Sequence, residues 1–265
     1  MSIYISKVTL LYASFLILLI GAVMGSFLNC TAWRIAHGGS SLRGRSHCPS
    51  CGHVLGAADL IPVFSWLFLK GKCRYCKTAV PVRYPLTEIL LAVLSLLCLL
   101  RFDLSFDCLR NIILCYCLFT LSLVDLESYR IPDACLVVAF AAWLLLSPLM
   151  GYSLREMGIN VLAGLVYGGV MLLLSIVFDK ITGKESLGGG DIKLFAIMGL
   201  YLGFIASLFA LLLACIAGLI FAVVQKKMFS EKGDQIPFGP SIAIAFWLML
   251  LYGQPFVHWY IGLLI

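Results

Sequence analysis

Asp191 follows three consecutive glycines, Gly188, Gly189 and Gly190, and opens an apolar run that begins Ile192-Lys193-Leu194. A carboxylate beside hydrocarbon costs about 2.5 to 3.5 kcal/mol on insertion scales, so an acid placed there is by default a functional candidate. A helix N-cap is the alternative reading, since aspartate fills that role well. The glycines separate the two: a cap needs none of them, whereas an extended peptide backbone approaching the acid gains room from every missing side chain. A second acid closes another apolar run, in Leu123-Val124-Asp125-Leu126-Glu127-Ser128-Tyr129-Arg130-Ile131-Pro132-Asp133. Two carboxylates brought close together cannot both ionise easily, and a shared proton leaves one as general base and the other as general acid. Such a pair can split a peptide bond with an activated water. A water-bonded residue at a helix end is the alternative for Asp125. Glu127 would face another side of a continued helix, and Asp133 directly after Pro132 reads as the cap of the next one. Lys193 is unfavourable to the dipole at a helix start and calls for a specific partner.

Four of the eleven cysteines, Cys48, Cys51, Cys73 and Cys76, form the pairs C-P-S-C and C-R-Y-C with 21 residues between them. This spacing resembles a four-thiolate zinc site, with Gly52 and the Gly71 region supplying the turns of the two knuckles. Two disulfides or a redox pair are the alternatives, disfavoured in a reducing loop. With all four metal positions filled by protein, such a zinc is structural and has no open position for water. His47 and His53 read as solvated loop residues. The other seven cysteines are scattered through apolar segments and read as small hydrophobes.

The chain that must position these groups has 265 residues, is 62% hydrophobic and only 12% charged, with a mean hydropathy of +1.04. Only helices and closed barrels satisfy backbone polar groups in lipid. The fold class is therefore all-α, a polytopic helical membrane protein. Eight spans are expected: about Leu10 to Trp33, Leu86 to Leu100, Cys108 to Val124, Ala134 to Met150, Gly158 to Phe178, Ile192 to Tyr201, Phe204 to Val224 and Ser241 to Leu264. The sixth is short, and Gly199 and Gly203 are the only punctuation that separates it from the seventh. The first has no basic leader or small-residue cleavage site and reads as a permanent anchor. One face then receives 15 of the 19 Lys and Arg residues, counting Lys193, which makes it cytoplasmic and puts both termini outside. That orientation accounts for the net charge of +6 without a nucleic-acid partner.

The sequence resembles the bacterial type IV prepilin peptidases, membrane aspartyl proteases of the GxGD type, over almost its full length. The matching pieces are Gly25-Ser26-Phe27-Leu28-Asn29 with Arg34, the paired CxxC loop, Ile61-Pro62 with Ser65-Trp66, Arg83-Tyr84-Pro85 with Glu88, the Asp125 to Asp133 segment, Gly188 to Lys193, and Ile236-Pro237-Phe238-Gly239-Pro240. The resemblance implies an enzyme of the bacterial cytoplasmic (inner) membrane. Such an enzyme cuts a short basic leader from prepilin or pseudopilin precursors after a glycine, at the cytoplasmic face, and methylates the new N-terminal residue with S-adenosylmethionine. It puts the catalytic aspartates on Asp125 and Asp191. Gly188, Gly189, Gly190, Lys193, Glu127, Asp133, Arg34 and Glu88 are candidates for binding substrate or cofactor, and basic leader residues could meet Glu127, Asp133 or Glu185. Besides protein precursors, membrane lipid is the expected partner. The implied organisation is a first transmembrane helix (1–33), a zinc-binding cytoplasmic loop domain (34–85) and a membrane-embedded aspartyl peptidase core (86–265). No G-x-G-x-x-G loop follows an expected strand, so no Rossmann-type site for the methyl donor is legible.

Two other classes stay open on the residues alone. In a proton-coupled transporter or ion channel, Asp125 and Asp191 would line the path, although no inverted repeat is apparent and the cysteine knuckles would be idle. In a membrane-held zinc-ribbon adaptor, both acids would be mere helix caps.

Overall fold

The computed structural model describes residues 7–39, 44–183, 187–228 and 236–264. Glu185 lies outside them. The chain is helical, and among the described residues the only β pairing is two isolated bridges, His47 with Val54 and Lys72 with Ala79. Among the described residues, seven helices are long and apolar enough to cross a membrane. They are α1 (Lys7–Ala36), α3 (Arg83–Phe102), α4 (Phe106–Ser128), α5 (Asp133–Leu146) with its following turn, α6 (Leu154–Thr182), α7 (Gly189–Met228) and α8 (Gly239–Leu264), while α2 (Phe64–Phe68) is a short helix in the loop after α1. Contacts divide the chain into two compact units, Met1–Tyr116 and Cys117–Ile265, with the boundary inside α4.

In the first unit α1 packs against α3 along a seam of small residues. A Cβ on Gly21 would come within 2.7 Å of the Ala92 backbone, and one on Gly25 within 2.8 Å of the Glu88 backbone. The two glycines are four apart, the spacing that lets helix backbones approach closely in lipid, where no hydrophobic force drives helices together. Asn29, one turn further, donates its amide to Thr87 Oγ1 at 2.7 Å. At the other end Ala13 packs with Cys98, Leu99, Cys108 and Ile112. Leu11, Phe15 and Leu19 stay exposed on the free side of α1, as residues facing acyl chains do.

The second unit repeats this device between α6 and α7. Gly164 and Gly168 meet Ala196 and Leu200, and a Cβ on Gly199 would fall 2.7 Å from Ala163 O. Gly199 is therefore a contact inside a continuous helix. The break is at Gly203 alone, with φ 71° and ψ −168°. The Ser207 hydroxyl donates to Met198 O at 3.3 Å. Nine residues along a straight helix would separate that pair by about 13 Å, so the chain reverses at Gly203. The Phe238 ring confirms the reversal, since it lies against Gly218 and has its centroid 6.2 Å from that of Phe195. α7 is a helical hairpin with limbs 189–202 and 204–228, and Tyr167 of α6 braces its turn by donating to Phe204 O at 2.6 Å. The sixth and seventh expected spans correspond to these two limbs.

The Gly203 backbone conformation is one that essentially only glycine adopts, and other residues there cost about 1–3 kcal/mol. Gly203→Ala should lower the stability of the detergent-solubilised protein by about that amount, read as a fall in thermal midpoint.

Candidate active site

Three helix ends meet in the second unit. α4 continues to Ser128, so Asp125 lies in its last turn with its side chain buried, 5% exposed overall. Gly239, the first residue of α8, donates its backbone N–H to Asp125 Oδ2 at 2.8 Å. The first N–H groups of a helix have no partner within it, and the helix dipole favours an anion at that end. Asp125 thus meets two needs at once, its own and that of the helix facing it. A Cβ on residue 239 would stand 2.8 Å from the same oxygen, so this approach is open only to glycine.

Asp191 is the third residue of α7, not the residue before it, and so is no N-cap. Its carboxylate turns back to accept the Gly188 N–H. Each acid is held by an orphan amide at a helix start, one on α8 and the other on α7. The glycines divide their roles. A Cβ on Gly190 would lie 2.7 Å from Ile131 Cβ, one on Gly188 would lie 3.1 Å from the Asp191 carboxylate, and only Gly189 opens onto empty space. The contact of Gly190 with Ile131 brings the start of α7 against the connection that follows Asp125.

Lys193 finds the partner its position calls for in Asp133, at 2.7 Å, with both side chains more than half exposed. Asp133 is the first residue of α5, with Pro132 at the cap position, so its carboxylate is committed to this ion pair rather than to capping. Glu127 is half-buried one residue from the helix end. Arg34 and Glu88 belong to the first unit and contact the loop backbone there: Arg34 Nη2 donates to Gly44 O at 3.0 Å, and Glu88 Oε2 accepts the Val63 N–H at 2.7 Å.

The four paired cysteines converge, with all Sγ atoms within 4.8 Å of one another and Cys48 and Cys76 at 3.9 Å. A tetrahedron with metal–sulfur bonds of about 2.3 Å has edges of about 3.8 Å, so the cluster fits a metal ion of zinc's coordination. The two knuckles are near copies. Cys48 N–H donates to His53 O at 2.9 Å and Gly52 N–H to Cys48 O at 2.8 Å; Cys73 N–H donates to Thr78 O at 2.8 Å and Lys77 N–H to Cys73 O at 3.1 Å. Both turn at a residue of positive φ, Gly52 in one and Lys77 in the other. Gly71 is at positive φ as well and makes the turn expected in its region, just ahead of the second knuckle, and it leaves room for the ring of Trp66, 2.8 Å from where its Cβ would be. Hydrogen bonds from the Thr78 hydroxyl and backbone hold the Cys76 thiol down at about 6, which favours the thiolate a metal requires. His53 stacks on Tyr75 and is no part of the cluster. All eleven cysteines are free of disulfides.

The described residues thus form a helical protein with spans long and apolar enough for a membrane and with acids placed where helices start or end, and comparison with known families gives its class as a peptidase. Residues 19–102 match the bacterial peptidase A24 N-terminal domain, and residues 112–223 match the type IV leader peptidase family. The chain belongs to that family. It is 37% identical over 220 residues to the prepilin leader peptidase/N-methyltransferase of Aeromonas salmonicida strain A449, covering 82% of this chain and 75% of the relative. The proteins of the same name from Pseudomonas putida and Dichelobacter nodosus are each 33% identical, with 89% and 90% of this chain and 89% and 91% of the relatives covered. No solved structure matches the chain.

The Asp133–Lys193 pair is exposed, and such pairs contribute about 0.2–1 kcal/mol. Asp133→Asn and Lys193→Gln should each lower thermal stability by no more than about that amount, and the double substitution by no more than the larger single effect, as a double-mutant cycle will show.

Proposed function

We propose that this chain is a membrane aspartyl endopeptidase that removes the short basic leader from type IV prepilin-like or pseudopilin precursors after a glycine, at the cytoplasmic face of the bacterial inner membrane. The observation that supports the reading is the convergence of the end of α4, which carries Asp125, with the starts of α7, which carries Asp191, and α8, in a chain whose relatives are named prepilin leader peptidase/N-methyltransferase. One carboxylate takes a proton from a water whose oxygen adds to the scissile carbonyl carbon. The C–N bond then breaks, and the other carboxyl gives its proton to the leaving nitrogen. The open side of Gly189 gives the extended substrate backbone its closest approach to Asp191. Glu127 and Asp133 offer negative charge to the basic leader, and Lys193 holds Asp133 beside the site. Arg34 and Glu88 contribute by shaping the loop. The excess of Lys and Arg on one face supports the cytoplasmic orientation, and the helical hairpin of α7 supports eight crossings. Residues 34–85 form the zinc-binding insertion between the first helix (1–33) and the peptidase core (86–265).

Cys48, Cys51, Cys73 and Cys76 would hold a structural zinc that fixes the loop. We assign the chain N-methylation of the new N-terminal residue on the strength of its relatives' names. S-adenosylmethionine would supply the methyl group.

Purified enzyme in detergent, given a pilin-like precursor, should release the leader. Asp125→Asn and Asp191→Asn should each lose roughly 100- to 10,000-fold in rate, the range that general acid–base groups supply; retained cleavage in either variant sinks the paired-acid mechanism. Gly239→Ala crowds Asp125, and displacing a catalytic group by about 1 Å costs on the order of 100-fold, so cleavage should fall comparably with the fold intact by thermal midpoint. Methyl transfer from labelled donor onto precleaved substrate should survive the aspartate substitutions. Metal analysis should find zinc in the wild type and none in Cys48→Ser.

A further inference from the structure

The loop that joins α1 to α3 carries an apolar ridge turned away from its own interior. Within α2, Trp66 faces the loop, donating its indole N–H to Val80 O at 3.0 Å and filling the space beside Gly71. At about 100° per residue, Phe64, Leu67 and Phe68 fall on the opposite side, and they are 59%, 55% and 83% exposed. Leu60 and Ile61, just before the helix, are exposed as well. Large apolar side chains grouped in this way mark a surface that another apolar phase covers.

Glu88 fixes the level of the ridge. Its buried carboxylate accepts the N–H of Val63, the residue just before α2. Glu88 lies two residues past Leu86, where the apolar run of α3 begins, and its backbone meets Gly25, eleven residues before the end of α1. α2 is therefore tethered beside the membrane-spanning helices, within their apolar length. The charge is also one-sided. Residues 34–84 contain eight Lys and Arg residues and a single acid, Asp59. Arg74 takes that acid at 2.6 Å and holds its carboxyl below the usual range. Lys70, Lys72 and Lys77, in the segment that follows the ridge, are exposed.

We propose that this ridge is a membrane-docking surface. Phe64, Leu67 and Phe68 sit in the headgroup–acyl boundary of the bilayer that α1 and α3 cross, and Lys70, Lys72 and Lys77 lie over anionic headgroups. An apolar face with flanking basic residues at interfacial depth is the pattern of an in-plane anchor. A second copy is disfavoured as the occupant, because it would bring like charge against like.

The test uses the full-length protein in nanodiscs of phosphatidylglycerol and phosphatidylcholine, with photo-crosslinking benzoylphenylalanine replacing Phe68. Replacement of Phe15, on the exposed face of α1, gives the lipid reference, and replacement of Ser50, an exposed polar position in the first knuckle, gives the background. Mass spectrometry of irradiated protein should find lipid adducts at position 68 close in yield to those at 15 and several-fold above those at 50. In phosphatidylcholine alone, the adduct yield at 68 should fall relative to that at 15. A yield at 68 no higher than at 50 while position 15 reports lipid would overturn the proposal. So would adducts at 68 that join two copies of the chain or go to an added precursor peptide. An unchanged yield in phosphatidylcholine alone would remove the role of the lysines. None of these outcomes depends on whether Asp125 and Asp191 cleave.

Discussion

A helix that begins in an apolar medium starts with backbone N–H groups that nothing in the helix can satisfy, and the second unit is organised around that constraint. Two helices begin at the same end, α7 and α8, and each offers an amide to one carboxylate. The acids need donors because they are withdrawn from water, and the amides need acceptors for the same reason. Neither half of the arrangement is stable without the other. This reciprocity explains why glycines crowd here: only a residue without a side chain lets backbone and carboxylate close to hydrogen-bond distance at position 239. The pair of acids beside hydrocarbon is thus a consequence of how helices start, and any chemistry it performs is built on the same contacts.

Much of this was legible in the residues, and the remainder was hidden for identifiable reasons. Long apolar runs gave the helices, because length and hydropathy alone determine what can span. Asp125 and Asp191 stood out because charge is scarce in such a chain. Gly239 did not, since it acts through its backbone and has no side chain to read. Its signal lay in Pro240, a proline in the first turn of an apolar run, which marks a helix start and hence free amides. The turn inside the second cysteine knuckle was not legible because glycine is the usual bearer of positive φ, whereas Lys77 adopts it here with its N–H on Cys73 O. Gly71 turns ahead of that knuckle, as expected, and also seats Trp66.

The partition by polarity and the partition by contact also answer different questions. Polarity, read along the sequence, changes near residues 34 and 85. Contact groups α3 with α1 and divides the chain inside α4. The seam of Gly21, Gly25 and Asn29 explains the difference: a span can belong by packing to the unit that precedes it.

The reversal at Gly203 sets the depth of everything at the far end of its first limb. That limb has fourteen residues, from Gly189 to the residue before the break, and rises about 21 Å. A bilayer's hydrocarbon core is about 30 Å thick. With the hairpin turn at one surface, a limb of that length stops about 9 Å short of the other. Bilayer thickness then becomes a parameter of the protein: thinner lipid brings the start of the limb nearer to the far surface, and thicker lipid takes it further away.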